Sequence, residues 1–180
     1  MADRVREITA AARHLLDTEG PEALSMRRIA ERVGIRAPSL YKHFPDKAAV
    51  EAALQAQGMA EMARELEAAE AGVGAGTEPP LLVLARAFRR HALAHPHLYR
   101  LTNTRPLART ALPEGLEDRA AMPLLRAVRG DIDVARTFWA FAHGMVVLEL
   151  DGRFPPDADL DAAWRTGCEA FTHTIRGESR

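Results

Sequence analysis

Residues Ser25 to Lys47 read SMRRIAERVGIRAPSLYKHFPDK. Ser25 can cap a helix by accepting a hydrogen bond from a backbone N–H in its first turn. Ile29, Ala30 and Val33 then recur at helical spacing until Gly34 ends the helix after about eight residues. A second short helix is expected after Ile35. Pro38 stands near its first turn, where a missing N–H costs nothing, and Leu40, Tyr41 and Phe44 supply its buried side. Two short helices joined by a glycine-centred turn form a helix-turn-helix. By geometry alone this is a weak sign of DNA binding, because any small helical protein can contain one.

Working outward, Val5, Ile8, Ala12, Leu15 and Leu16 predict an amphipathic first helix over about Asp3–Asp17, closed by Glu19-Gly20-Pro21. On the other side Asp46 can cap a long helix through Val50 and Leu54 to about Glu70, ahead of the break at Gly72-Val73-Gly74-Ala75-Gly76 and Pro79-Pro80. Leu81–Ala94 and Pro96 to about Asn103 read as two more helices split at His95-Pro96, followed by a loop through Pro106 to Pro113. Gly115–Arg129 is helical with Pro123 inside it, which must kink the helix or displace its start. Asp131 caps an eighth helix to about Asp151, and Pro155-Pro156 separates it from a ninth. The expected fold is therefore all-α. A helix-turn-helix domain over 1–47 precedes a larger helical domain over 48–180, joined by the helix at 46–70.

Composition agrees with this class. Apolar residues make up 47% of the 180 residues and aromatics 6%, with Ala, Leu, Arg and Glu plentiful and the β-branched residues sparse. The single cysteine, Cys168, leaves no disulfide framework or Cys-based zinc site and suits a reducing cytosol, so a cytoplasmic location is expected. Charge and hydrophobicity alternate through Met1 to Glu22, unlike a signal peptide, and the uncharged run Thr137–Leu148 is too short at 12 residues to span a bilayer. Net charge is -1, yet residues 1–50 carry nine basic against seven acidic residues and residues 51–180 carry 15 against 18. A small basic head on an acidic body follows.

The residue identities from Ser25 to Lys47 say more than the geometry. The Ser cap, the Arg in the first turn, the Val-Gly turn, the Ser39-Leu40-Tyr41-x-His43-Phe44 core and the Lys three residues on resemble the tetracycline-repressor family of transcriptional regulators. A recognition helix must offer small and polar side chains to the major groove while flanking groups fasten on phosphate, and Arg36, Ala37, Pro38, Ser39 and Lys42 line such a face. The resemblance implies that Arg27 reaches a base or a phosphate, and an arginine can pair bidentately with guanine O6 and N7. Arg28 is a phosphate contact or a surface charge. Tyr41 and His43 match positions that donate to phosphates, the alternative for Tyr41 being a mostly core ring with only its hydroxyl exposed. Lys47, in the first turn of the fourth helix, sits where backbone N–H groups also favour an anion.

The eighth helix carries Phe138, Trp139, Phe141, Met145, Val146, Val147, Leu148 and Leu150 with no charge between Arg136 and Glu149. A helix apolar almost all round must be covered on two sides, and a second copy of the chain can supply one of them. Val147, Leu150, Leu160, Trp164, Gly167, Cys168 and Phe171 are the expected dimer interface, with Gly167 and Cys168 permitting close approach. Trp139-x3-His143-Gly144 and His95-Pro96-x-Leu98-Tyr99 look like the Trp-His-Gly subgroup of the same family. The resemblance implies a mostly apolar ligand cavity, for which Phe88, His91, Leu98, Tyr99, Met122, Leu125, Phe138, Trp139 and His143 are candidates or else ordinary core.

Metal binding by His91, His95 and His97 lacks a carboxylate or cysteine to complete a tetrahedral set, and no cofactor is expected. Nor is an enzyme: the chain has no Gly-rich phosphate loop and no nucleophile elbow. The expected function is a homodimeric repressor that leaves a palindromic operator, double-stranded DNA, when a small-molecule effector binds, with no membrane partner. The alternatives are an activator of the same fold and a ligand-binding helical module that does not bind DNA.

Overall fold

The computed structural model of the chain describes residues 2–73 and 78–177. Nine α-helices and no strand are found among the described residues: α1 (Ala2–Glu19), α2 (Met26–Val33), α3 (Ala37–Leu40), α4 (Lys47–Val73), α5 (Pro80–Ala94), α6 (Pro96–Asn103), α7 (Leu116–Ala127), α8 (Ile132–Leu150) and α9 (Leu160–Arg176). Single 3-10 turns at Pro21–Ala23 and Arg109–Ala111 fill two of the connections. The expected all-α class, with a helix-turn-helix followed by a helical domain, is what the chain adopts. Of the expected glycine-rich break, Gly74 to Gly76 lie outside the described residues.

Local chemistry sets the ends. Ser25 Oγ accepts from the Arg28 N–H at 3.3 Å, and Gly34 closes α2 at φ 72° with its N–H on the carbonyls of Ala30 and Glu31. Only glycine takes that left-handed backbone without steric cost. Asp46 Oδ1 accepts from the Ala49 N–H at 2.8 Å at the start of α4, and Asp131 Oδ1 accepts from the Asp133 and Val134 N–H groups at the start of α8. Asp159 caps α9 in the same way through the Ala162 N–H at 2.9 Å. Pro123 lies buried inside α7, which starts seven residues ahead of it rather than being displaced beyond it.

The chain forms two units. The first comprises Met1–Ala60 with His95–Glu117, and the second Glu61–Ala94 with Asp118–Arg180, so α4 runs through both. In the first unit Ile8, Ala12, Leu15 and Leu16 of α1 meet Leu24, Ile29, Leu40, Phe44, Val50 and Leu54, and α6 adds Leu98 and Leu101. Gln55 is the buried polar side chain here, 4% exposed. Its Nε2 donates to the Leu101 and Pro106 carbonyls at 3.1 Å each, and its Oε1 accepts from the Ala108 N–H at 3.1 Å. One amide thus satisfies three backbone groups, one in the last turn of α6 and two in the segment that follows it. One turn on, Gly58 lets α6 come close: a Cβ there would lie 2.6 Å from Thr102 Oγ1 and 3.0 Å from Leu98 Cγ.

In the second unit α5, α8 and α9 pack on one another around Leu81, Leu84, Phe88, Phe138, Ala142 and Val146. Arg119 and Arg126 of α7 pair with Glu67 and Glu70 of α4 through two hydrogen bonds each.

Candidate nucleic-acid interface

The two short helices are held from behind. Leu40 is fully buried and Phe44 is 6% exposed, and both sit in the core built on α1 and α4. That anchoring turns the residues between and before them outward: Arg36, Pro38, Ser39 and Lys42 are exposed, while Ala37 and His43 are half-buried. Tyr41 corrects an expectation. It does not contribute to the buried side of the recognition segment; it is 51% exposed, because α3 is only four residues long and the chain then turns, rotating Tyr41 away from the Leu40–Phe44 side. The result is an outward face with an aromatic hydroxyl, a serine hydroxyl and two cations.

The remaining basic groups are held by nearby carboxylates. Arg27 Nε donates to Glu31 at 2.8 Å with the arginine side chain 86% exposed, and this bond raises the guanidinium pKa. Arg28 Nη2 donates to both oxygens of Glu19 at 2.8 and 2.7 Å, and Lys47 Nζ lies 3.6 Å from Glu51, which also accepts from Arg105 at 3.3 Å. Exposed pairs of this kind are screened by solvent and add little stability, so a phosphate or a base edge can displace the carboxylate at little cost. Arg36 and Lys42 have no ion pair among the described residues. These carboxylate partners could not be read beforehand, except that Arg27 and Glu31 stand four apart on one helix.

The residues expected in the regulatory half divide. Leu98 and Tyr99, expected in the ligand cavity, belong to the first unit, where they are 1% and 3% exposed and where burial raises the Tyr99 hydroxyl above its ordinary pKa. Phe88, His91, Met122, Leu125, Phe138, Trp139 and His143 belong to the second. Of these, Trp139 and His143 come together as stacked rings, 5.8 Å between centroids at 19°. Trp139 is nonetheless 48% exposed and Met122 39%, while Phe138 is buried edge-on against Phe171. Burial lowers the pKa of His143.

Two members of the expected dimer interface point the other way. Trp164 and Cys168 are 3% and 1% exposed, in the core of their own unit, where Cys168 Sγ donates to the Leu81 carbonyl at 3.9 Å and burial pushes the thiol pKa up to about 11. The reason is the width of the α9 stripe: its continuous apolar run covers α5 as well as facing outward. Val147, Leu150, Leu160, Gly167 and Phe171 are half-buried in the single chain.

A polar network inside the second unit had no sequence signal, since its members are 60 and 15 residues apart. Glu149, with its side chain 6% exposed, accepts from Arg89 Nε at 2.9 Å and from Trp164 Nε1 at 2.6 Å. Arg89 also donates to Asp161 and lies 5.9 Å from the Trp164 ring centroid. Burial works against the Arg89 charge, but the bonds to Asp161 and Glu149 more than offset it and raise its pKa.

Comparison with known proteins places this geometry. Residues 8–54 match the family model described as bacterial regulatory proteins, tetR family, and residues 81–171 match the tetracyclin repressor-like C-terminal domain. An uncharacterized HTH-type transcriptional regulator of Mycobacterium tuberculosis is 29% identical over 169 residues, covering 87% of this chain and 74% of its own. A solved protein of unknown function from Rhodococcus sp. RHA1 superposes with a TM-score of 0.73 at 23% identity, covering 98% of this chain and 95% of the other. A TetR variant from Acinetobacter baumannii AYE in complex with minocycline superposes with a TM-score of 0.66 at 24% identity, covering 96% and 97%. The last two show a shared fold.

Proposed function

The chain belongs to the tetracycline-repressor family of bacterial regulatory proteins, and from that premise we propose a symmetric homodimer that represses transcription from a palindromic operator until a small, mostly apolar ligand releases it. That it is a DNA-binding transcriptional regulator rather than an enzyme follows from the family. Dimerisation, repression, the ligand and a cytoplasmic location are our reading.

The observation that carries the reading is the uncovered side of α8. Ile132 and Trp139, two turns apart on one face of the helix, are 54% and 48% exposed, and Leu148, about half a turn round from Trp139, is 41% exposed, with no charge between Arg136 and Glu149. Large apolar side chains left in water along one helix favour burial against a second copy, and a two-fold axis makes one such face serve both subunits. A symmetric pair of heads reads a symmetric site, with half-sites roughly 34–36 Å apart for successive major grooves. In this reading Ser25, Arg27, Arg28, Arg36, Ala37, Pro38, Ser39, Tyr41, Lys42, His43 and Lys47 form the DNA contact set. Residues 1–47 carry recognition, and 48–180 carry dimerisation and ligand response.

Footprinting of the purified protein on its own upstream region and neighbouring promoters tests the reading, with light scattering for the mass in solution. Salt-sensitive protection of a palindrome by a particle of twice the chain mass is expected. A monomer under all conditions, or no protected palindrome, would overturn it. No helix among the described residues is long and apolar enough to cross a membrane.

A further inference from the structure

A cleft between α5 and α9 has a chemistry that neither DNA contact nor an apolar dimer seam uses. It encloses about 210 Å³. Leu82, Ala85 and Trp164 form its floor, 9%, 1% and 3% exposed, and Arg86, Arg89 and Arg165 surround them. None of the residues expected from the sequence to line a ligand cavity takes part.

The carboxylates near these arginines are unequal. Glu149 is buried and committed to Arg89 and Trp164, and Glu78 holds Arg86 with two bonds at 2.6 and 2.8 Å. Asp161 lines the cleft itself with a side chain 78% exposed, held by Arg89 Nη1 at 2.5 Å. Its pKa is lowered first by that bond and by the attraction of Arg89, and then also by Arg165 and Arg86, so the charges of all three guanidiniums act on one exposed carboxylate. Arg165 makes no hydrogen bond among the described residues.

We infer that this cleft binds a small carboxylic acid with an apolar body, its carboxylate taking the place that Asp161 fills and its body lying over Leu82, Ala85 and Trp164. An exposed ion pair such as Arg89–Asp161 is a weak competitor. Planar guanidinium groups bind a carboxylate bidentately, a geometry that a neutral or cationic ligand cannot return. The volume lies below the roughly 300 Å³ at which drug-sized pockets begin, which selects an acid of about a dozen heavy atoms.

The indole N–H of Trp164 reports on the site in proton–nitrogen spectra of the full-length protein. Titration with 4-phenylbutyrate should shift the Trp164 indole signal saturably, leaving the Trp139 signal in place, and 4-phenylbutyramide should bind at least tenfold more weakly. Arg165→Ala should weaken the acid about tenfold, the equivalent of one charge-assisted hydrogen bond. Asp161→Asn should tighten it severalfold by removing the internal competitor. Both substitutions are at exposed side chains, and the same spectra show that the fold is kept. Acid and amide binding alike, Asp161→Asn weakening the acid, or no saturable shift up to the solubility of the acid would overturn the inference.

Discussion

The ring of Phe141 on α8 lies against Gly167 on α9, so close that a Cβ on Gly167 would sit 2.2 Å from Phe141 Cζ. Trp164 and Phe171 hold the ring from the sides, with centroids at 5.6 and 5.8 Å. The glycine therefore serves the seam between two helices of one chain. Gly167→Ala gains about 1 kcal/mol of helix propensity, but it forces the ring to move within a packed cluster at a cost of about 1–3 kcal/mol. A net loss of about 1 kcal/mol is expected, read as a lower midpoint in urea with an unchanged slope, and Phe141→Leu in the same chain should restore most of it.

Glu149 holds α5 and α9 to α8 through Arg89 and Trp164. Glu149→Ala leaves the Trp164 indole N–H without its acceptor and takes from the half-buried Arg89 guanidinium the inner of its two carboxylates, with Asp161 remaining. Allowing for the partial exposure of Arg89, a loss of about 2–3 kcal/mol is expected in denaturant unfolding. Trp164→Phe, which removes one donor and keeps most of the packing, should cost less, about 1.5–2 kcal/mol.

Gln55→Leu keeps the volume of the buried side chain and strips the Leu101 and Pro106 carbonyls and the Ala108 N–H of their partner. The expected cost is about 2–3 kcal/mol of stability, with the largest rise in amide exchange at Ala108.

His143 ties stability to pH. Burial lowers its pKa below 6.5, so near neutrality the folded chain binds fewer protons at this site than the unfolded chain does. Its contribution is complete above about pH 6.5 and is lost as the pH falls through the folded value. The melting temperature of the native chain should therefore drop faster than that of His143→Leu as the pH falls below about 6.5, and parallel curves would remove His143 from the account.

On DNA, Lys47→Ala should weaken binding across all sequences and reduce the salt slope by about 1. Arg27→Ala should cost about 1–3 kcal/mol and also relax the preference at one base pair. Competition assays on scrambled and native operator at two salt concentrations separate the two. Neutrality of both variants would discard the contact assignment.

Much of this chain was legible before any coordinates. Ser25, Gly34, Asp46 and Asp131 act within one turn of themselves, so they set helix ends in any tertiary surroundings. The identities from Ser25 to Lys47 also pointed to the family that residues 8–54 and 81–171 match. Tyr41 was harder, because one turn of helix carries too little periodicity to say on which side the next residue emerges.

Sequence alone thus determined the helices, their order and the family, since capping, proline and glycine effects and apolar periodicity are properties of neighbouring residues. Only the tertiary structure decided what covers each apolar face. It put Trp164 and Cys168 in their own core, Leu98 and Tyr99 with the first unit, and Glu149 between Arg89 and Trp164. Periodicity tells which residues share a face; the residue that meets that face lies up to 87 positions away in the chain, as Leu81 does from Cys168, and no local rule selects it.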